Sequence, residues 1–282
     1  MRRARALRVA AVQLNSTADP AANVAVADRL TRLAAGDGAT LIVLPEKWTA
    51  IGTDAQLLAA AETLQGPAIE WARTTARELR VDLVAGSIVE RMPGVEKLAN
   101  TSVHVDRDGE LKAVYRKVHM FDVQIGERSY RESDLEEPGE EIVLSESAGG
   151  VELGLSICYD LRFPEVFRIL AVRGARVIAL PSAFTLPTTR DHWEVLLRAR
   201  SIENQTFLIA ANQVGPHPGG LHSGGRSMIV DPWGLVLAQA SDGAGHIVAD
   251  LDLERQREIR ERVPALANRR PDIYRWPEVT HA

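Results

Sequence analysis

The sequence predicts an α/β protein, because short runs of β-branched and aliphatic residues alternate with segments of helical periodicity. The first such run, Leu7–Leu14, is followed by an alanine-rich amphipathic segment, Ala21–Ala35. Asp19-Pro20 before this segment and Gly36-Asp37-Gly38 after it are typical helix start and stop signals. A continuous apolar run at Thr40–Leu44 then predicts a strand buried on both faces, as in a parallel sheet.

The remaining elements indicate hairpins as well as parallel strands. Asp108-Gly109 is a turn signal between two β-rich runs, Thr101–Asp106 and Leu111–Tyr115, which predicts a hairpin. The other predicted elements, in chain order, are helices Ala55–Leu64 and Ala68–Leu79, strand Asp82–Glu90, helix Pro164–Val172, strand Ala175–Leu180, helix His192–Asn204, strand Thr206–Asn212, the hairpin of Ser227–Val230 with Leu235–Gln239, strand His246–Leu251 and helix Leu253–Arg262. We therefore expect mixed sheets with helices packed against them.

The composition is that of an ordinary soluble globular protein. The 282 residues carry a formal net charge of −5, with 45% hydrophobic and 25% charged residues. No segment approaches the ~20 apolar residues of a membrane span. This balance gives no reason to expect nucleic acid or a membrane surface as a partner. One cysteine and no targeting signal favour a cytoplasmic location.

The chain is expected to form a single domain over residues 1–282, with a C-terminal tail from about residue 265 that has no core pattern of its own. The basic N-terminal cluster of Arg2, Arg3, Arg5 and Arg8 precedes too short an apolar stretch for a signal peptide, so we expect solvated arginines before a strand. The glycine-rich segment Gly215–Gly225 lies between two strands and is expected to be a surface loop.

Cys158 is the only cysteine of the chain. A lone cysteine excludes an intrachain disulfide and a metal site with several thiolates. It lies between the apolar run Val151–Leu155 and the helix predicted from Pro164, where unpaired backbone amides can bind an anion. Cys158 is therefore either a nucleophile or an inert buried thiol, and by residue type alone the inert thiol is the commoner case.

Two charged residues share this placement at the end of a strand. Glu46 follows Leu41–Pro45, and Lys117 follows Ala113–Arg116. Open α/β sheets place their ligands at the carboxyl ends of strands. A carboxylate that accepts the thiol proton and an ammonium that stabilises an oxyanion would make an acyl-transfer site with Cys158. Taken singly, Glu46 or Lys117 could equally be an ordinary charged residue exposed to solvent at the end of a strand.

The three segments together resemble the nitrilase superfamily of carbon–nitrogen hydrolases, over about Leu7 to Tyr274. The motifs that carry this resemblance are Leu44-Pro45-Glu46, Tyr115-Arg116-Lys117-Val118-His119, Ile157-Cys158-Tyr159-Asp160-Leu161-Arg162-Phe163-Pro164-Glu165, Pro181-Ser182-Ala183-Phe184, His192–Gln205, Asp231-Pro232-Trp233-Gly234 and Arg269–Tyr274.

The resemblance implies an αββα sandwich of two mixed sheets flanked by helices, with subunits that pair through their helical faces into a four-layer homodimer. It also implies a catalytic triad of Glu46, Lys117 and Cys158, and no metal or cofactor. Members often carry a second glutamate near the triad. Glu132 matches its position best, and Glu127 is the alternative in this variable loop.

The motif after Cys158 is most similar to the branch of omega-amidases and deaminated glutathione amidases, which cleave the terminal amide of small carboxylate-bearing compounds. The reaction that this resemblance implies starts when Glu46 deprotonates Cys158 and the sulfur attacks the amide carbon. Lys117 and the backbone N–H of Tyr159 then bind the oxyanion, and an acyl-thioester forms on Cys158. Ala183 and Phe184 are expected at the substrate. An N-carbamoyl hydrolase, a nitrilase and a noncatalytic binding or assembly subunit of the same fold are the alternatives.

Several further residues have two interpretations. Arg162 either binds the substrate carboxylate or pairs with Asp160 or Glu165. His119 either contacts substrate or, more commonly for a histidine after a strand, makes structural hydrogen bonds. Trp48, next but one to Glu46, is expected to pack rather than line the pocket. His217 and His222 flank the glycine-rich segment, and both are expected to be solvated.

Overall fold

Two β-sheets face each other, with helices on their outer sides, in the computed structural model, which describes residues 7–147 and 149–275. The strands are β1 Leu7–Gln13, β2 Leu41–Val43, β3 Asp82–Val84, β4 Ile88–Glu90, β5 Ala99–Val105, β6 Leu111–Arg116, β7 Asp122–Ile125, β8 Arg128–Arg131, β9 Leu144–Glu146, β10 Glu152–Leu155, β11 Val177–Ser182, β12 Phe207–Asn212, β13 Val214–His217, β14 Leu221–Gly224, β15 Met228–Val230, β16 Val236–Gln239 and β17 Gly245–Leu251. The helices are α1 Pro20–Gly36, α2 Asp54–Ala60, α3 Pro67–Leu79, α4 Pro164–Val172, α5 Leu186–Thr188, α6 Glu194–Asn204 and α7 Leu253–Arg262.

Both sheets contain parallel and antiparallel pairs. The first has the order β17-β1-β2-β3-β5-β4, with β6 paired to β5, and the second has the order β16-β15-β12-β11-β10-β9. Strands β1, β2 and β3 are parallel, as are β10, β11 and β12. The remaining neighbours in the two sheets pair antiparallel. The predicted mixture of parallel and hairpin-joined strands is confirmed.

The alternation along β1 shows how the layers stack. Ala10 and Val12 belong to the apolar cluster that also contains Leu30 of α1 and Ile69 of α3. Val9 and its alternate neighbours on the other face belong to the cluster that contains residues of the second sheet and of α4 and α6. Successive side chains of a strand point to opposite faces, so one face of the first sheet packs on helices and the other on the second sheet. The predicted αββα sandwich is confirmed.

Most predicted elements are present, with shifts at their ends. Helices Pro164–Val172 and Leu253–Arg262 have the predicted bounds. The helix predicted over Ala55–Leu64 ends at Ala60, and the one predicted from His192 begins at Glu194, after a π-helical turn at Thr189–Trp193. The hairpin of β7 with β8 was not predicted, because each strand has only four residues and Val123 and Ile125 give too short an alternation.

The single strand predicted over Asp82–Glu90 is wrong. Two strands, β3 and β4, are separated at Ala85-Gly86-Ser87, and Gly86 has φ +51°. A Cβ atom on Gly86 would collide with the carbonyl oxygen of Pro45 and approach the ring of Trp48. The chain therefore turns here against the segment that carries Glu46, and only glycine fits both the space and the backbone conformation.

The surface loop predicted at Gly215–Gly225 is instead largely a hairpin. Strands β13 and β14 pair from Val214↔Gly224 to His217↔Leu221, and the turn at Pro218–Gly220 contains two glycines with positive φ. The prediction that His217 is solvated is wrong, because this residue is buried. It hydrogen-bonds the carbonyl of Ser16 at 2.8 Å and Ser223 Oγ at 3.0 Å. These bonds hold the hairpin against the loop after β1.

The predictions at the chain ends are covered only in part. Arg8 forms an ion pair with Asp250 of β17 at 2.9 Å, while Arg2, Arg3 and Arg5 lie outside the described residues. The part of the tail beyond residue 275 also lies outside them. Among the described residues, no helix has the length and apolar character needed to span a membrane.

Replacing Gly86 with alanine is expected to lower the free energy of unfolding by roughly 3 kcal/mol, because it adds steric overlap to the strain of a positive φ. Gly94→Ala is the matched control, since Gly94 also has positive φ (+77°) but no heavy atom within 4 Å of the place that a Cβ atom would take. Chemical denaturation measures both variants. If both variants lost the same free energy of unfolding, the contact of residue 86 with Pro45 would be unimportant.

Candidate active site

Glu46 lies just beyond β2 and is almost fully buried. Its Oε1 accepts hydrogen bonds from Lys117 Nζ at 3.0 Å and from Asn100 Nδ2 at 2.8 Å. Its Oε2 accepts one from the backbone N–H of Ala183 at 2.8 Å. Donors from β5, from the end of β6 and from the residue after β11 therefore fix both carboxylate oxygens.

Lys117 follows β6 directly and is 1% exposed. Its ammonium also donates to Glu132 Oε2 at 2.7 Å, so it lies between two carboxylates. Burial lowers the pKa of Lys117, but Glu132 and Glu46 raise it more, and the pKa ends well above its ordinary value. Lys117 therefore stays charged and acts as a cation and hydrogen-bond donor, not as a base.

Cys158 begins a short 3₁₀ helix, Cys158–Arg162, after β10 and has φ +46°. This left-handed conformation is uncommon for a residue other than glycine, and it occurs here at a sharp strand-to-helix turn. Asp160 supports the turn, because its Oδ2 accepts from the N–H of Ile157 at 2.8 Å and from Tyr115 Oη at 2.6 Å. The turn places the thiol at the base of a cavity.

The Cys158 thiol is buried beside Glu46 and Lys117. Burial raises the pKa of the thiol, the charge of Glu46 raises it further, and Lys117 lowers it, with a net rise well above the ordinary value. The resting sulfur is therefore a thiol rather than a thiolate at neutral pH. Glu46, whose charge acts on the sulfur, is the group placed to take its proton.

Glu132, not Glu127, is the second glutamate beside Lys117. Its Oε2 accepts from Lys117 and, at 2.8 Å, from the backbone N–H of Phe121. Positive charge from Lys117 and Lys47 outweighs the effect of burial and holds the pKa of Glu132 below its ordinary range. Glu127 is exposed in the turn between β7 and β8 and does not line the cavity.

Three residues of this cluster were missed by the sequence analysis. Asn100 on β5 donates to Glu46 and, at 3.3 Å, to Glu132. Lys47 and Glu136 form an ion pair at 2.6 Å on the other side of Glu132. None of the three has a clear signal in the sequence. Asn100 lies among other polar residues of β5, and Lys47 and Glu136 look like ordinary charged loop residues until the fold brings them together.

A cavity of about 430 Å³ opens above the triad. Its rim is formed by the hairpins β7–β8 and β13–β14. The Arg128 guanidinium joins these hairpins by donating to the carbonyls of Gly220 at 2.6 Å and Gly219 at 2.7 Å. Other cationic side chains in its wall are Lys47, Arg131 and Arg162. The cavity is thus large enough for a small molecule. Its wall also carries the carboxylates of Glu46, Asp54, Glu132, Asp134 and Glu136.

Arg162 lines this cavity and pairs with neither Asp160 nor Glu165. Its guanidinium lies 3.3 Å from His192 Nδ1 and 5.5 Å from the centroid of the Phe184 ring. Within the described residues it forms no ion pair with a carboxylate. The alternative of a structural pairing with Asp160 or Glu165 is therefore wrong, and binding of a substrate carboxylate stays a prediction.

The other predicted contact residues are placed as follows. Phe184 and Ala183 line the cavity, but the N–H of Ala183 is engaged by Glu46. The ring of Tyr159 packs edge-on against Phe121 and Phe163 outside the cavity wall, which leaves its backbone N–H as the relevant group. The N–H groups at the start of a helix have no intrahelical partner. Their roles toward substrate stay predictions.

His119 and Trp48 have structural contacts. His119 Nδ1 lies 2.8 Å from Asp160 Oδ1, and its ring stacks on Phe163 at 3.6 Å. Trp48 is fully buried and donates from Nε1 to the carbonyl of Ala85 at 2.8 Å. Neither side chain lines the cavity, which favours a structural role for both. His222 is exposed at the rim.

Comparison with known proteins identifies relatives over nearly the whole chain. The carbon-nitrogen hydrolase family model matches residues 8–261. Human deaminated glutathione amidase is 41% identical over 271 residues, which cover 94% of this chain and 83% of that protein. The C. elegans NitFhit protein has a TM-score of 0.88 and 36% identity, over 96% of this chain and 67% of that one.

A third relative carries chemical information about its own site. An amidase from Nesterenkonia sp. AN1 has a TM-score of 0.77 and 29% identity, over 96% of each chain. Its structure shows covalent addition of the acetamide moiety of fluoroacetamide at the active site cysteine. The predicted resemblance and enzyme class are confirmed by these matches. The chain belongs to the carbon–nitrogen hydrolase family.

Proposed function

We propose that this protein is an amidase that cleaves the terminal carboxamide of a small carboxylate-bearing amide to an acid and ammonia. The substrate class is that of deaminated glutathione and of the omega-amides of dicarboxylic acids. The observation that carries the proposal is the convergence of Glu46, Lys117 and the Cys158 thiol at a cavity that Arg162 also lines. The name of the human relative supports the choice of amide.

The first half-reaction acylates Cys158. Glu46 takes the proton from the thiol, and the sulfur attacks the carboxamide carbon. The ammonium of Lys117 and the N–H of Tyr159 bind the oxyanion of the tetrahedral intermediate. Glu46 then donates the proton to the leaving nitrogen, the C–N bond breaks, and ammonia departs from an acyl-thioester.

The second half-reaction releases the acid. Water occupies the place left by ammonia, and Glu46 takes one of its protons as the oxygen attacks the thioester carbonyl. The same oxyanion donors serve again. The intermediate collapses with loss of the sulfur, which regains its proton from Glu46. Lys117 keeps its charge throughout, because the carboxylates on either side hold its pKa high. Glu132 orients Lys117 for both steps.

Arginines in the wall of the cavity offer partners for a substrate with a free carboxylate. Arg162 is the best placed anchor, because its guanidinium lines the cavity and is free of a carboxylate partner within the described residues. A charge-assisted pair with a carboxylate is about twice as strong as a neutral hydrogen bond. A homodimer that pairs through the helical faces and a cytoplasmic location stay predictions.

Ammonia release should depend on Cys158 and on a substrate carboxylate. The panel contains 2-oxoglutaramate, succinamate, a deaminated glutathione, an N-carbamoyl amino acid and a simple nitrile, with wild type and Cys158→Ala assayed side by side. We expect turnover of at least one of the first three and its loss in Cys158→Ala. Turnover of only the carbamoyl compound or the nitrile would contradict the amide assignment, and turnover that survives Cys158→Ala would contradict the mechanism. No turnover at all would favour a noncatalytic subunit.

Removing the Glu46 charge should lower the pKa of the Cys158 thiol, because that charge raises it while Lys117 lowers it. Thiolate absorbance at 240 nm reports this pKa directly, since the chain has one cysteine. In the Glu46→Gln variant, the thiolate should form at lower pH than in wild type. Amide turnover should fall at least about a hundredfold, because the general base is lost. Cys158→Ala supplies the tyrosine background. An unchanged or higher thiol pKa would exclude Glu46 as its proton acceptor.

Arg162→Met should raise KM for a carboxylate-bearing amide about 10- to 100-fold, the range for one charge-assisted hydrogen bond, and change KM for a neutral amide far less. Arg173→Met is the control, because Arg173 lies outside the cavity at the end of α4 and donates to the carbonyl of Ile142. Equal effects on charged and neutral amides would assign the anchor to another cation of the wall.

A further inference from the structure

We propose that Lys47 is a positioning residue for the Glu132 carboxylate and that buried Glu136 holds the Lys47 ammonium in place for this task. This inference rests on the proposed function, because Glu132 in turn orients Lys117. Lys47 directly follows the general base in sequence. It therefore links the two carboxylates that flank Lys117 through one short segment of backbone.

The backbone of Lys47 is held in an unusual conformation. Its φ is +48°, and its N–H donates to Ser87 Oγ at 2.9 Å, in the turn that separates β3 from β4. A lysine in the left-handed region costs conformational energy that neighbouring structure must offset. The consequence is that the side chain, only 14% exposed, lies along the cavity wall toward Glu132.

The two oxygens of Glu132 have separate donors. Oε2 accepts from Lys117 Nζ at 2.7 Å and from the N–H of Phe121 at 2.8 Å. Oε1 accepts from Lys47 Nζ at 3.2 Å and from Asn100 Nδ2 at 3.3 Å. Without Lys47, Oε1 would keep only the 3.3 Å hydrogen bond from Asn100 among the described residues. The carboxylate would then be held firmly through Oε2 alone and could turn about that oxygen.

Glu136 explains why the Lys47 ammonium stays at this point. Its Oε1 lies 2.6 Å from Lys47 Nζ, and its side chain is 1% exposed. Apart from this ion pair, no hydrogen-bond donor reaches its carboxyl group in the part of the chain that the structure describes. A buried carboxyl group with a single cationic partner contributes little else to the fold, so its role is to orient Lys47.

The negative charges of Glu46 and Glu132 are balanced only when Lys47 is counted with Lys117. Glu46 and Glu132 carry two negative charges, and Lys117 and Lys47 supply two positive ones. Burial raises the pKa of Glu136 to about 7, with Glu132 adding to the rise and Lys47 and Lys117 opposing it. The third carboxyl group is therefore partly neutral near pH 7. Loss of Lys47 would leave a net negative charge beside a thiol that must ionise.

The first test compares Lys47→Met with Lys47→Arg on the amide identified by the panel. We expect kcat to fall about 10- to 100-fold in Lys47→Met, with KM changed less than about threefold, since a charge-assisted hydrogen bond is lost away from the substrate. Lys47→Arg keeps the charge and should recover most of kcat. Lys97→Met is the matched control, because Lys97 Nζ donates to the carbonyl of Ser133, next to Glu132, at 2.6 Å and does not line the cavity. Equal losses in Lys47→Met and Lys97→Met would overturn the proposal.

The double variant Lys47→Met/Glu136→Leu separates positioning from stability. Lys47→Met alone leaves a buried carboxyl group unpaired and is expected to lower Tm, whereas removal of both charged groups should restore it. We expect kcat of the double variant to remain low, because Glu132 still lacks its support. Recovery of kcat together with Tm would show that Lys47 serves the fold only.

Alkylation of Cys158 provides a readout that needs no turnover. The rate of modification by iodoacetamide at fixed pH, followed by mass spectrometry of the intact chain, reports how well Lys117 supports the thiolate. We expect this rate to fall at least about fivefold in Lys47→Met and to stay at the wild-type value in Lys97→Met. An unchanged rate in Lys47→Met would contradict the proposal even if no amide of the panel were hydrolysed, so the two failures are distinguishable.

Discussion

The ammonium of Lys117, buried between Glu46 and Glu132, is the interaction on which the rest of the site depends. A buried lysine without anionic partners would lose its proton, and two buried carboxylates without a cation between them would not both stay ionised. The fold meets both conditions by bringing the ends of β2 and β6 and the turn after β8 together. The donors Asn100, Ala183, Phe121 and Lys47 together leave the carboxylates little freedom to rotate.

The same arrangement explains why Cys158 rests as a thiol. A thiolate permanently paired with Lys117 would be a stable ion pair and a weaker nucleophile. Here Glu46 competes for Lys117 and opposes ionisation of the sulfur, so the thiolate forms only as Glu46 takes its proton. The left-handed turn at Cys158 presents the sulfur to this pair at the start of the following 3₁₀ helix. In the proposed mechanism, the base and the oxyanion donors are therefore in place before substrate arrives.

Sequence reasoning recovered the layers of the fold and pointed to three residues that the structure brings together, because both have local signals. The core strands and α4 show clear periodicity, and Glu46, Lys117 and Cys158 each stand in a recognisable motif at a strand end. It failed where the outcome depends on distant contacts. The break at Gly86 depends on Pro45, the burial of His217 on Ser16, and the pairing of Lys47 with Glu136 on the turn that follows β8. None of these partners lies close enough in sequence to be inferred from a local pattern.

The bridge from Arg128 to the carbonyls of Gly219 and Gly220 has a consequence for how selectivity can change. The reacting groups are fixed to the sandwich, whereas the rim consists of two hairpins that are joined to each other by one side chain. Insertions or exchanges in these hairpins alter the entrance without moving a triad residue. The reacting groups and much of the entrance thus belong to different parts of the fold, and a new amide preference can be sought in residues 122–131 and 214–224 as well as at Arg162.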